Sequence, residues 1–216
     1  MRKGLTEVVF ILDRSGSMSG LESDTIGGFN SMLAKNKQEN CQAYVSTVLF
    51  DSDCQVLHDR LPLAEIAPMT EKEYYVGGCT ALLDAVGGAI QHIKNVHKYA
   101  RKEDVPVKTL FVIITDGFEN SSRKYTYDKV KKMISQQQEE KGWEFIFLGA
   151  NIDAVQEAAR FGISEKRAVR YENDADGIAL NFKAVADVVH CCCCSTMVRD
   201  DWAEEIAEDY EKRGRK

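Results

Sequence analysis

The sequence contains no apolar run approaching the roughly 18 residues that a membrane-spanning helix needs, so a span is excluded. Cationic charge is in deficit. Lys and Arg number 28 against 34 Asp and Glu, leaving a net charge of −6. Without a basic excess to displace phosphate counterions, the chain is not expected to bind nucleic acid. No disulfide framework is present either: the seven cysteines are an odd number, and Cys191, Cys192, Cys193 and Cys194 are consecutive. A reducing, cytoplasmic setting is therefore expected. Met1, Arg2 and Lys3 could open a leader, but the apolar run at residues 8–12 stops at Asp13, too soon for a secretory segment. Proline is scarce, at three residues, and neither an internal repeat nor a linker rich in Pro, Gly or Ser interrupts the chain. One domain over residues 1–199 is expected, then a charged tail or frayed helix over residues 200–216.

Several catalytic signatures are also missing. There is no Gly-x-x-x-x-Gly-Lys-[Ser/Thr] loop to cradle phosphates and no Gly-x-Gly-x-x-Gly after the first apolar run. Gly16 and Gly20 bracket Met18, where a nucleophile elbow would carry serine.

What is present is ordinary globular composition, 44% hydrophobic and 29% charged, arranged as an alternation of strand-like and helix-like segments. Residues 7–12 (EVVFIL), 44–50 (YVSTVLF), 109–115 (TLFVIIT) and 144–148 (EFIFL) are short, β-branched or aromatic runs that read as buried strands. Residues 54–58 read as a hairpin partner across the turn Asp51-Ser52-Asp53, and residues 168–171 as an edge strand. Apolar residues recur at helical spacing over residues 22–37, 80–99, 127–140 and 176–189, with a shorter helix at 153–161. This order predicts an α/β fold: a doubly wound, mostly parallel sheet with helices on both faces and one antiparallel edge strand. Such folds bind ligands outside the carboxyl ends of the strands.

Three of the loops at those ends carry oxygen donors. Asp13, Ser15 and Ser17 follow the first strand, Asp116 follows the central strand in Thr115-Asp116-Gly117, and Thr80 opens a helix after Gly77-Gly78-Cys79. Two carboxylates and three hydroxyls, with no nitrogen or sulfur, suit Mg²⁺, Mn²⁺ or Ca²⁺ over zinc. So few carboxylates leave the cation room to attract an outside anion.

Asp13-x-Ser15-x-Ser17, then Thr80, then Asp116, resembles the metal-ion-dependent adhesion site of von Willebrand factor A domains. The likeness runs from about Leu5 to the helix beginning near Asp176. Gly117-Phe118-Glu119-Asn120 and residues 147–153 look like those of small stand-alone bacterial members. The resemblance implies that Ser15, Ser17 and Thr80 reach a metal, most simply Mg²⁺, directly or nearly so, with Asp13 and Asp116 often acting through water. It implies capture of a partner protein's Asp or Glu at the metal. Relatives that work with ATPase machines or stress-resistance systems make those partner classes compatible. Loops 19–24 and 118–124 would supply selectivity, and Arg123 and Lys124 attraction for an acidic partner.

Simpler roles compete residue by residue. Asp13 and Ser15 suit a helix cap or turn, Thr80 an N-cap, Asp51 a turn, and Asp84 the start of a helix dipole. Arg14 is expected to be solvated, and His92 and His97 to lie on the surface. Cys191-x-x-Cys194 has half a zinc spacing, but with Cys41, Cys54 and Cys79 scattered it reads as a small apolar stretch of helix or strand. The competing functional reading is a Mg²⁺-dependent phosphatase or nucleotide-handling enzyme on the same sheet. The haloacid-dehalogenase pattern wants a second Asp where this chain has Ser15, and a non-enzymatic module is expected.

Overall fold

In a computed structural model, which describes residues 2–194 and 197–213, the chain folds around a six-stranded sheet. The strands are β1 (Arg2–Asp13), β2 (Ala43–Phe50), β3 (Cys54–Pro62), β4 (Pro106–Thr115), β5 (Glu144–Gly149) and β6 (Ala168–Arg170). Their order is β3-β2-β1-β4-β5-β6. All neighbours are parallel except β2 and β3, which pair antiparallel at one edge. The helices are α1 (Glu22–Gln38), α2 (Leu82–Tyr99), α3 (Tyr127–Lys141), α4 (Ala154–Arg160), α5 (Ala175–Cys193) and α6 (Glu204–Arg213). Among the described residues no helix is long and apolar enough to cross a membrane.

Period-two alternation along β1 explains the layering. Val8, Phe10 and Leu12 point to one side, where they join Phe29, Met32 and Leu33 of α1 and Phe182 and Val185 of α5. Val9 and Ile11 point to the other, against Leu82, Val86 and Ile90 of α2 and Val130 and Ile134 of α3. Both sets are buried, so β1 and β4 read as continuous apolar runs, as central parallel strands do.

Some boundaries differ from the sequence reading. Strand β1 starts five residues before residue 7, through a register shift at Gly4, whose φ is +82°. Helix α5 runs on through Cys193, so the cysteine run is its last turn, with Cys192 in the core. Within the charged C-terminal stretch, α6 docks on α5 and β6 through buried Ile206, and Arg170 lies 4.7 Å over the Tyr210 ring. The rest of that stretch, residues 214–216, lies outside the described residues.

One expectation for a surface side chain is corrected. His97 is not a surface residue: it sits against Trp143 and contacts Glu7 Oε2 at 3.2 Å. Glu7 is fully buried on β1, and a buried carboxylate needs partners; Arg60 supplies another at 2.9 Å. His92 does lie at the surface, bonded to Asp59.

Candidate metal centre

Strands β1 and β4 are adjacent, with Leu12 opposite Ile114, so the loops that follow them leave the sheet side by side. After β1 the chain turns through a short 3₁₀ segment, Gly16–Met18, and Ser15 N–H donates to Asp13 Oδ1 at 2.7 Å. The second oxygen of Asp13 accepts from the Thr115 hydroxyl at 2.6 Å. From the β4 loop, Asp116 Oδ1 accepts from Ser17 Oγ at 2.5 Å, and Ser17 Oγ lies 3.1 Å from Ser15 Oγ. Asp13, Ser15, Ser17 and Asp116 thus belong to one hydrogen-bonded group.

Thr80 comes from a third loop. Gly16 N–H donates to Gly78 O, and Gly77 N–H to Arg14 O, which lays the segment before α2 across the β1 loop. Gly78 has φ +74°, and a Cβ there would fall 2.7 Å from Ser52 Oγ, so this crossing requires glycine. Thr80 is buried and its N–H donates to Asn120 Oδ1 at 2.8 Å. It is not the N-cap of α2, a position held by Ala81. Among the described residues no hydrogen bond joins the Thr80 hydroxyl to the other four. It stands across Gly117 from Ser17: a Cβ at Gly117 would lie 3.7 Å from both hydroxyl oxygens.

Burial pushes the Asp13 carboxyl up to about 6, against the hydrogen bonds from Thr115 and Ser15 that lower it. Burial also raises Asp116, against Ser17 and Asn173. The partners bonded to both carboxylates are neutral, so two buried acids face each other without a counter-charge in that set. A divalent cation meets that deficit, and an all-oxygen donor set fits Mg²⁺, Mn²⁺ or Ca²⁺. Ser17 is exposed, so the group opens to solvent.

Further residues hold the group in place and escape a reading of the sequence. Asn173 Nδ2 donates to Asp116 Oδ2 at 3.1 Å, and Tyr74 OH donates to Asp13 O at 2.5 Å. Both come from loops far along the chain, and neither has a local signal. Thr115 was adjacent to Asp116 in the motif, and its hydroxyl could have been suspected.

The rim is also more built than its sequence indicates. Arg14 is buried rather than solvated: its guanidinium pairs with Asp51 at 2.9 Å, bonds Gln55 at 2.7 Å and lies 4.5 Å over the Tyr75 ring. Asp51 combines that pairing with a turn, accepting from Asp53 N–H at 2.9 Å. Asp84 does more than meet a helix dipole. Its carboxylate accepts from the N–H groups of Arg123, Lys124 and Tyr125, each at 2.9 Å. In return Glu119 and Ser122 accept from the N–H groups of Leu83 and Asp84, which at the start of α2 have no intrahelical acceptor. The loop after Asp116 is therefore fastened to the helix that follows Thr80.

No family model and no curated protein matches the chain. Solved structures with a similar fold include proximal thread matrix protein 1 from the mussel byssus, with a zinc-occupied MIDAS motif, at 17% identity and TM-score 0.51. That match covers 87% of this chain and 46% of the other. A von Willebrand factor type A structure from Catenulispora acidiphila matches at 15% identity and TM-score 0.56, over 86% of this chain and 42% of that one. The PilB minor pilin from Streptococcus sanguinis matches at 10% identity and TM-score 0.58, over 86% and 61%. This chain spans less than two thirds of each of these proteins. The likeness establishes the fold, an α/β sheet of the von Willebrand factor A kind.

Proposed function

We propose that the chain is a divalent-cation-dependent protein-binding module. Asp13, Ser15, Ser17, Thr80 and Asp116 hold the cation, Mg²⁺ in the first instance with Mn²⁺ or Ca²⁺ as substitutes. Held there, the cation would supply a coordination position that an Asp or Glu carboxylate of a partner protein could fill. What carries this reading is the convergence of oxygen donors alone, four of them hydrogen-bonded together, at the carboxyl ends of β1 and β4.

The chain's own residues account for the rest. Thr115 and Asn173 fix the two carboxylates in place, so little ordering remains when a cation enters. Phe118 and Tyr75 are large, exposed aromatics beside the group, suited to contact a partner around the captured acid. Arg123 and Lys124 are exposed on the same loop and add attraction for an acidic surface. The partner we infer is a protein presenting Asp or Glu, in the class of ATPase or stress-resistance components. The exposed thiols of Cys54 and Cys79 suit a reducing compartment, and on that ground we place the module in the cytoplasm.

A peptide array displaying single Asp or Glu residues, probed with tagged protein in Mg²⁺ and in chelator, tests this reading. Binding to acidic peptides should vanish in chelator, on Asp→Asn replacement in the peptide, and with Ser15→Ala/Ser17→Ala. Binding indifferent to chelator would overturn it. Metal-dependent phosphate release from simple esters, abolished by Asp13→Asn, would assign the centre to a hydrolase instead.

A further inference from the structure

At the opposite edge of the sheet, the turn from α1 into β2 meets the last turn of α5. Asn40, at φ 55°, reverses the chain so that Glu39 and Cys41 flank it, and Cys41 enters the core. The end of α5 brings His190 to the same place. His190 Nδ1 lies 2.9 Å from Glu39 Oε2 and 3.8 Å from Cys41 Sγ. One ligand atom from each of the three lies within 4.8 Å of the others. Cys193 follows His190 by one helical turn, in the last turn of α5.

We propose that Glu39, Cys41 and His190 form a second metal site that takes zinc. Metal–ligand lengths of about 2.3 Å to sulfur and about 2.1 Å to nitrogen put the S···N edge of a zinc tetrahedron at about 3.6 Å. The Cys41–His190 separation of 3.8 Å needs only a small contraction to match. Thiolate and imidazole prefer zinc to Mg²⁺, the reverse of the oxygen group at the other edge.

The surroundings support ligation. Metal-bound imidazoles usually engage their second nitrogen, and His190 Nε2 contacts Cys194 Sγ at 3.5 Å. Asn36 is fully buried and fixes both sides of the site. Its amide donates to Met32 O within α1 and to Ala186 O on α5, while its Oδ1 accepts from the Cys41 S–H at 3.3 Å, a proton that metal binding would release. His190 and Glu39 are partly exposed, giving an ion a path in. A zinc ion there would tie the end of α5 to the α1–β2 turn.

Titration of reduced, metal-free protein with Co²⁺ tests the site, because tetrahedral thiolate-bound Co²⁺ gives intense visible and charge-transfer absorption that an oxygen-only site does not. One equivalent should develop this spectrum in the wild type, in Asp116→Ala and in Cys54→Ser, and zinc should displace it. Cys41→Ser should lose it, and so should His190→Gln, which alters a partly exposed side chain and keeps the test valid if the buried cysteine variant misfolds. Absence of the spectrum in wild type, or its survival in His190→Gln, overturns the proposal. So does a Cys41–Cys193 disulfide found by peptide mass spectrometry in place of bound metal.

Discussion

The carboxyl edge of the sheet presents Asp13, Ser15, Ser17, Thr80 and Asp116, all oxygen; the amino edge presents Cys41 and His190, sulfur and nitrogen, with one carboxylate, Glu39. The same parallel strands thus separate a set suited to hard cations from one suited to zinc. The two edges are also held differently. Oxygen donors at the carboxyl edge are fixed by Thr115 at the end of β4 and by two loop residues, Asn173 and Tyr74. Donors at the amino edge are fixed by one buried amide, Asn36, shared between α1 and α5. Substitutions at the first edge therefore disturb contacts between loops, whereas a change at Asn36 disturbs helix packing.

The largest effect should come from Asp116→Ala. Removing one of two carboxylates should raise the Mg²⁺ dissociation constant at least about a hundredfold, on the order of 2.7 kcal/mol, in titration calorimetry. Chain stability without metal should hardly fall. Wild-type Mg²⁺ affinity in this variant would dissolve the contrast between the edges.

Asn36→Ala probes the other side of it. Stripping the buried partners of this amide should cost about 1–3 kcal/mol. At about 2–4 °C per kcal/mol for a chain of this size, the thermal midpoint should drop by several degrees. Mg²⁺ binding should be untouched, and a loss of both would show the edges to be coupled.

Asp84→Ala should release the loop after Asp116 at a cost of about 1–2 kcal/mol. Burial acts to raise the Asp84 carboxyl, but the N–H groups of Arg123, Lys124 and Tyr125 outweigh it and hold the group below its usual range. The contribution is therefore complete at neutral pH and declines as pH falls through the folded value. Faster hydrogen exchange at those three amides, in the variant or in acid, is the expected signal. The smallest effect on stability should be that of Phe118→Ser, within about 0.5 kcal/mol, with partner binding weakened.

The carboxyl edge was legible because its oxygen donors lie in short motifs at strand ends, where the alternation of strands and helices already located the loops. Asp13, Ser15 and Ser17 share one turn, and Asp116 follows the most apolar strand. The supports were not legible, since Asn173 and Tyr74 reach Asp116 and Asp13 from loops without any motif. Arg14 was misread because the pairing that buries it depends on Asp51 and Tyr75, from two other loops. The amino edge left no trace beyond an odd run of cysteines. Cys41 and His190 are 149 residues apart, and only the packing of α1 against α5 brings them together.

Thermal unfolding of metal-stripped protein with added Mg²⁺, run beside Ser15→Ala/Ser17→Ala, tests the oxygen centre most directly. At a hundred times its dissociation constant Mg²⁺ should stabilise the wild type by about 2.7 kcal/mol. That corresponds to a rise of about 5–10 °C in midpoint, absent from the double variant. An unchanged midpoint in the wild type, or an equal rise in both proteins, would contradict a cation held by these residues.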